Sequence, residues 1–361
     1  MTYHDNGPYK MMDSAQGSID SVAHDISEGT QYASDLNLDL DTRLELYEDI
    51  IASEVGDTLL SRARNIERET GLRQIYFKFE GGNPSGTQKD RIAFAQVEDA
   101  LRRGYDTICT ATCGNYGVAV AFAARLAGLK CSIYIPATYH SSREKEMTAL
   151  GAVIIREGTD YEESVSLSSQ FALDNNLYDG NPGGMNTVLQ LKAYGEIAFE
   201  IYDELRDAPA AVAVPVSNGT CLAGIYRGFQ QLYRRGKTSR IPKMIAGSSS
   251  KKNPIISSFT KGLVSCEDLE PAAIRESAVN EPLINWHSID GDQALNAILD
   301  TKGWAGEGSD RKMIYFSSFI KKNEGLSVLP ASTAGLIALT DYHQKNALPG
   351  DRYVVVLTGR R

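Results

Sequence analysis

Three short segments of the chain carry residues that could do chemistry together. The first is GGNPSGTQKDR, from Gly81 to Arg91, in which Lys89 follows an Asn-Pro turn. Gly81 and Gly86 have the spacing of a nucleotide phosphate loop, but that motif needs Lys directly after the second Gly, followed by Ser or Thr. Thr87 and Gln88 intervene, so the nucleotide reading fails. What remains is a lysine at the start of a helix. There the positive end of the helix dipole disfavours a protonated amine and moves its pKa downward. A neutral lysine can attack a carbonyl; a solvated first-turn lysine is the ordinary alternative. The second segment, ATCGNYG from Ala111 to Gly117, places small residues and N–H groups where a carboxylate or phosphate can approach the backbone. Its plain alternative is a helix N-cap in a tight turn. The third, PVSNGTCLAG from Pro215 to Gly224, contains no lysine. Its Ser217, Asn218, Gly219, Thr220 and Cys221 could hold a phosphate monoester through backbone N–H groups, hydroxyls and a helix dipole, or simply join a strand to a helix.

Each segment must be positioned by the elements around it. From about residue 74 the sequence alternates short apolar runs with helical periods. Strand-like runs occur at 74–79 (QIYFKF), 107–111, 131–136, 152–156, 211–216 (AVAVPV), 243–247 and 353–357 (YVVVL). Helical periods lie between them, one with an apolar stripe of Phe94, Val97 and Leu101, one starting near Ser141 or Ser142, one from Tyr161, and others over 193–205 and 222–235. Such strands, nearly continuously apolar, suit burial on both faces. Two successive βαβα blocks predict an α/β fold of doubly wound parallel sheets with right-handed crossovers. Ligands in such sheets bind beyond the C-terminal ends of the strands, where all three segments fall. Residues 260–325 read as mixed helix and loop.

Composition narrows the class. The 361 residues are 42% hydrophobic and 23% charged, an ordinary globular balance, and no run approaches the roughly 18 apolar residues that a membrane span needs. The first 30 residues lack the apolar core of a signal peptide, which leads us to expect a cytoplasmic protein without a membrane partner. The net charge of −9 is concentrated in residues 1–42, which hold eight acids against Lys10. We expect that acidic leader to be flexible. With no clustered basic excess, nucleic acid is not an expected partner. The five cysteines include no CxxC pair, and the five histidines form no HExxH, so no metal is expected. No GxSxG elbow supports a serine hydrolase.

A lysine, a carboxylate-ready turn and a phosphate-ready turn, in that order, point to pyridoxal 5'-phosphate held as a Schiff base. On these residues the chain, over roughly 50–361, resembles the tryptophan-synthase-β-like superfamily of fold type II pyridoxal phosphate enzymes. That group includes threonine synthases, cysteine synthases and serine/threonine dehydratases. NPSGTQKDR looks most like the NPTGSFKDR segment of threonine synthases, which implies that Lys89 is the Schiff-base lysine. TCGNYG is similar to their TSGNTG turn. By that likeness Asn115 bonds the cofactor's ring hydroxyl, and Thr112, Cys113, Gly114, Asn115 and Tyr116 form the loop for the substrate carboxylate. SNGTC corresponds to the phosphate cup. Thr358, in VVVLTG, corresponds to the hydroxyl residue that faces the pyridine nitrogen. A neutral hydroxyl there cannot keep that nitrogen charged, which suits elimination better than racemisation.

The resemblance further implies two domains with the cofactor in the cleft between them. The larger would comprise 43–75 plus 190–361, and the smaller, 76–189, would carry the carboxylate loop. It implies a homodimer, a small amino-acid substrate, and a lyase performing β/γ-elimination with replacement, of the threonine synthase type. Where threonine synthases commonly have a base for the departing phosphate, this chain has Leu189 or Gln190, with Lys192 the nearest cation. A cysteine-synthase-like β-replacement on serine, phosphoserine or an acylated serine is the alternative. A non-catalytic binding protein on the same fold is the third reading.

Overall fold

The computed structural model describes residues 33–139 and 143–361. Two parallel-type sheets organise them. The larger has six strands in the order β1 (Leu60–Arg62), β2 (Ile75–Phe79), β10 (Tyr353–Leu357), β7 (Ala211–Pro215), β8 (Lys243–Ser249) and β9 (Trp304–Gly308). Only β1 runs antiparallel to its neighbour. The smaller sheet is all parallel, in the order β5 (Val153–Arg156), β4 (Lys130–Ile135), β3 (Thr107–Ala111) and β6 (Tyr178–Asp179). The expected α/β class with two doubly wound parallel sheets is therefore what the chain adopts.

The two-faced burial inferred from continuous apolar runs has a direct counterpart. Along β10 and β7, Val354, Val356, Val212 and Val214 enter one core cluster. Their alternates Tyr353, Val355, Leu357, Ala211 and Ala213 enter a second cluster across the sheet. Side chains alternate across a strand, so both faces need apolar residues when helices cover both. Helices Thr187–Leu205 and Thr220–Arg234 cross at closely apposed backbones: a Cβ on Gly228 would come within 2.4 Å of the Gly195 carbonyl oxygen.

Some expectations need correction. The acidic leader was expected to be flexible through residue 42. Residues 1–32, with His4 and His24, lie outside the described residues, but 33–42 are built into the fold. Ala33 is fully buried and its carbonyl accepts a bond from Arg43 Nε at 3.0 Å. Asp39 caps helix Leu40–Glu54 by accepting from the Thr42 N–H at 2.9 Å. That helix stacks Tyr47 on Phe94, and the burial of its apolar side anchors the segment. The proposed caps Ser141 and Ser142, with His140, fall outside the described residues. The expected boundary at 75/76 passes through β2, all of which pairs with β10 in the larger sheet. Within 260–325 the chain forms β9 and helices Gly291–Asp300 and Asp310–Glu324. Among the described residues no helix is long and apolar enough to cross a membrane.

Candidate active site

Strands β2, β7 and β10 are neighbours in the larger sheet although distant in sequence, so the segments that leave their C-terminal ends converge. A cavity of about 120 Å³ lies there. Lys89, Asn115, Ser217, Asn218, Gly219, Thr220, Cys221 and Thr358 all line it. These are the eight residues that sequence reasoning assigned to a cofactor, and they come from four separate stretches of chain. Among the described residues Lys89 is the single cation in this lining.

Lys89 is the first residue of helix Lys89–Arg102, and its N–H is taken by Thr87 Oγ1 at 3.2 Å. The preceding turn is tied to the end of β10: the Gln88 N–H donates to the Thr358 carbonyl at 2.9 Å, and the Arg360 N–H to the Gly86 carbonyl at 2.9 Å. Burial lowers the Lys89 pKa, against the opposing influence of Cys221 and Asp290. Desolvation is thus the leading cause, where the sequence had suggested the helix dipole. The Nζ stands 6.0 Å from the centre of the Tyr116 ring.

The turn after β7 is shaped for an anion. Gly219 has φ +91°, which a side chain rarely adopts, and a Cβ there would lie 2.6 Å from the Ala294 Cβ. Glycine therefore lets the N-terminus of helix Thr220–Arg234 face the cavity with its first-turn N–H groups, which have no intrahelical acceptors. Surrounding bonds hold the turn. Asn253 Nδ2 donates to the Ser217 carbonyl at 3.0 Å, Asn285 Nδ2 to Asn218 Oδ1 at 2.8 Å, and Thr220 Oγ1 to Asp290 Oδ2 at 2.5 Å. Burial raises the pKa of Asp290. Across the cavity, the Thr358 hydroxyl pairs with Ser332 Oγ at 3.0 Å. A glycine cradle at a helix N-terminus, one low-pKa lysine and a fixed hydroxyl fit an aldehyde-bearing phosphate ester of the expected kind.

The expected substrate residues divide differently. Asn115 lines the cavity, but Thr112, Cys113, Gly114 and Tyr116 are not among its lining residues. The Tyr116 phenol is buried and engaged by the Gly180 carbonyl at 2.6 Å and by Gln96 Oε1. Cys113 is half-buried; burial, with Glu281 and Glu276 nearby, pushes its thiol up to about 12. Lys192 is exposed on helix Thr187–Leu205 and does not line the cavity. Gln190 instead points into a buried network, where its Nε2 donates to Gln96 Oε1 at 3.1 Å. Sequence reasoning missed Gln88, Tyr194, Pro282, Leu283, Leu329 and Ser332 in the lining. Gln88 could have been noticed as Lys89's neighbour; the others follow from packing between distant segments. Among the described residues no group of three or more His, Cys, Asp or Glu is placed to hold a metal.

The family described as pyridoxal-phosphate dependent enzyme matches residues 51–359. A threonine synthase of Methanocaldococcus jannaschii is 27% identical over 307 residues, covering 84% of this chain and 74% of its own. Among solved structures, threonine deaminase isoform 2 of Solanum lycopersicum superposes with a TM-score of 0.71 at 18% identity, over 90% of this chain and 91% of that one. A serine racemase of Dictyostelium discoideum gives 0.71 at 16% identity, over 90% and 98%. At such identities the structural likeness concerns the fold.

Proposed function

Since the chain belongs to the pyridoxal-phosphate dependent enzyme family, we propose that it is a lyase of the threonine synthase type, releasing phosphate from O-phosphohomoserine and adding water to form threonine. One observation carries the reading of the site. Eight residues from four separate stretches of the chain surround one cavity, with Lys89 as its cation among the described residues. The threonine synthase relative supports the choice of reaction within the family.

When bound, pyridoxal phosphate supplies an electron sink for negative charge at the substrate's Cα. The protein supplies the rest. The N–H groups at Gly219–Leu222 would hold the phosphate, and Asn115 would contact the ring. Lys89 is the residue whose Nζ would hold the cofactor's aldehyde group, and the same amine is the base placed to take the substrate's Cα proton. Burial, which lowers its pKa, favours the uncharged amine that this role needs. The Thr358 hydroxyl, fixed by Ser332, adds no charge of its own. The apolar walls from Pro282, Leu283 and Leu329 exclude water from the reacting atoms.

A second reading is favoured by a particular feature of the pocket's surroundings. The place where threonine synthases commonly have a base holds Leu189 or Gln190, the latter bonded to Gln96, while Glu281 approaches the loop at Gly114. A substrate whose side chain is uncharged when bound, as in β-replacement on serine or an acylated serine, is compatible with that arrangement. Turnover discriminates them: phosphate release from O-phosphohomoserine, against amino-acid formation from a serine derivative with sulfide. The first is the expected result. Lys89→Ala is expected to abolish the visible absorbance of bound pyridoxal phosphate and to lower turnover by roughly 10³-fold. Retention of that absorbance refutes the role of Lys89. We further take the enzyme to be a cytoplasmic protein and a homodimer, and sedimentation of the full chain checks the dimer.

A further inference from the structure

One wall of the cavity is formed by a group to which the assignments above give no role. Tyr194 lies on helix Thr187–Leu205, is 1% exposed, and lines the cavity together with Lys89 and the 217–222 turn. Its position is built in: a Cβ on Gly224 would lie 2.6 Å from the Tyr194 Cβ, so only glycine on the facing helix admits the tyrosine. Yet its hydroxyl, fully buried, has no hydrogen-bond partner among the described residues. Beside Lys89, Gln88 Oε1 is likewise buried without a partner among the described residues and belongs to the same lining.

Buried polar atoms in folded proteins are nearly always paired, and leaving one unpaired costs its full desolvation. A phenylalanine would fill the same volume without that cost. Two such atoms on one small cavity mark the places where an occupant completes the bonding. The phenol stays protonated because burial holds its pKa well above the usual 10. It can therefore donate, whereas Gln88 Oε1 can only accept.

We propose that Tyr194 is a ligand-contacting residue of this cavity, its hydroxyl donating to an oxyanion of the occupant while Gln88 Oε1 accepts an N–H or O–H from it. The inference rests on the reading of Lys89 and adds a contact to it. The oxyanion could belong to pyridoxal phosphate or to the amino acid's carboxylate, and the two are separable by experiment.

The test uses the full chain carrying Tyr194→Phe. Its melting temperature without ligand is expected to equal or exceed that of the wild type, because an unpaired oxygen is removed. Affinity for the group the phenol contacts is expected to fall roughly 5- to 10-fold, the worth of one hydrogen bond. Titration with pyridoxal phosphate, read by absorbance, reports the cofactor arm. Titration of the pyridoxal-phosphate-loaded protein with O-phosphohomoserine or serine reports the substrate arm. A loss in either arm supports the contact and names its source. If the ligand-free melting temperature falls while both affinities match the wild type, the hydroxyl serves the protein itself and the inference is overturned. Wild-type protein that shows no Lys89-dependent absorbance overturns the underlying reading instead, and this inference with it.

Discussion

Two buried polar regions lie a few residues apart at the start of helix Lys89–Arg102, and they are finished in opposite ways. Below the turn, Arg91 is held by Glu80 at 2.6 and 2.9 Å and by Glu200 at 2.6 and 2.9 Å. Lys78 pairs with Glu200, and Thr58 and Asn83 bond Glu80. Two cations meet two carboxylates and every charge has a partner. Although burial pushes Glu200 up, Arg91 and Lys78 hold it down at about 2. Around the cavity, by contrast, Tyr194 and Gln88 present atoms with no partner, and Lys89 has a lowered pKa. A closed network fixes the geometry of the Gly81–Arg91 turn. An open one leaves capacity for a ligand.

Breaking the closed region should have the largest effect on folding. Arg91→Leu strands Glu80 in the interior and is expected to destabilise the chain by about 3–5 kcal/mol, measured by denaturant unfolding. If stability holds and only turnover falls, Arg91 belongs to the chemistry and the contrast between the two regions disappears.

Asp90, between them, gives a smaller and pH-dependent effect. Burial pushes its carboxyl up to about 7 from 3.8, despite the bond from the Ser85 N–H at 2.8 Å and the charge of Arg360. The folded state therefore holds the proton more tightly than the unfolded chain. The associated stability is fully present below 3.8 and is lost as pH rises through about 7. Asp90→Asn keeps an acceptor for Ser85 without the titration. It should flatten this slope, gaining up to a few kcal/mol over the wild type near neutral pH. Unfolding curves at acid and neutral pH check it, and an unchanged slope would place the titration elsewhere.

The smallest effect is expected from Lys192→Ala, at an exposed position outside the cavity lining. Stability should stay within about 0.5 kcal/mol, and kcat/KM for O-phosphohomoserine within about twofold. A tenfold loss would bring that ammonium within reach of the substrate and sharpen the threonine synthase reading.

Much of the frame was legible. Strands β3 and β10 and the helix from Tyr161 begin where the apolar runs and periods predict. Continuous apolar runs are informative when both faces are covered, because no alternate position is free to be polar. The illegible parts have physical reasons. Strand β9, WAGEG, has no β-branched residue and two glycines, so its pairing with β8 comes from position in the sheet and not from propensity. The Asp-rich stretch before Leu40 resembled solvated tail, yet Asp39 is a cap and Ala33 a core residue.

By itself the sequence determined that three glycine-bearing turns follow apolar strands, and that one presents a lysine and another a cation-free anion cup. Those are local facts, set by residue type and strand–turn–helix order. Only the tertiary structure decided that Tyr116 is spent on Gly180 and Gln96, that Lys192 faces solvent, and that Tyr194 and Ser332 reach the cavity. Where a side chain points, and whether another atom meets it, depends on which helix and strand faces pack together. That is a property of contacts between residues far apart in the chain, which no local pattern encodes.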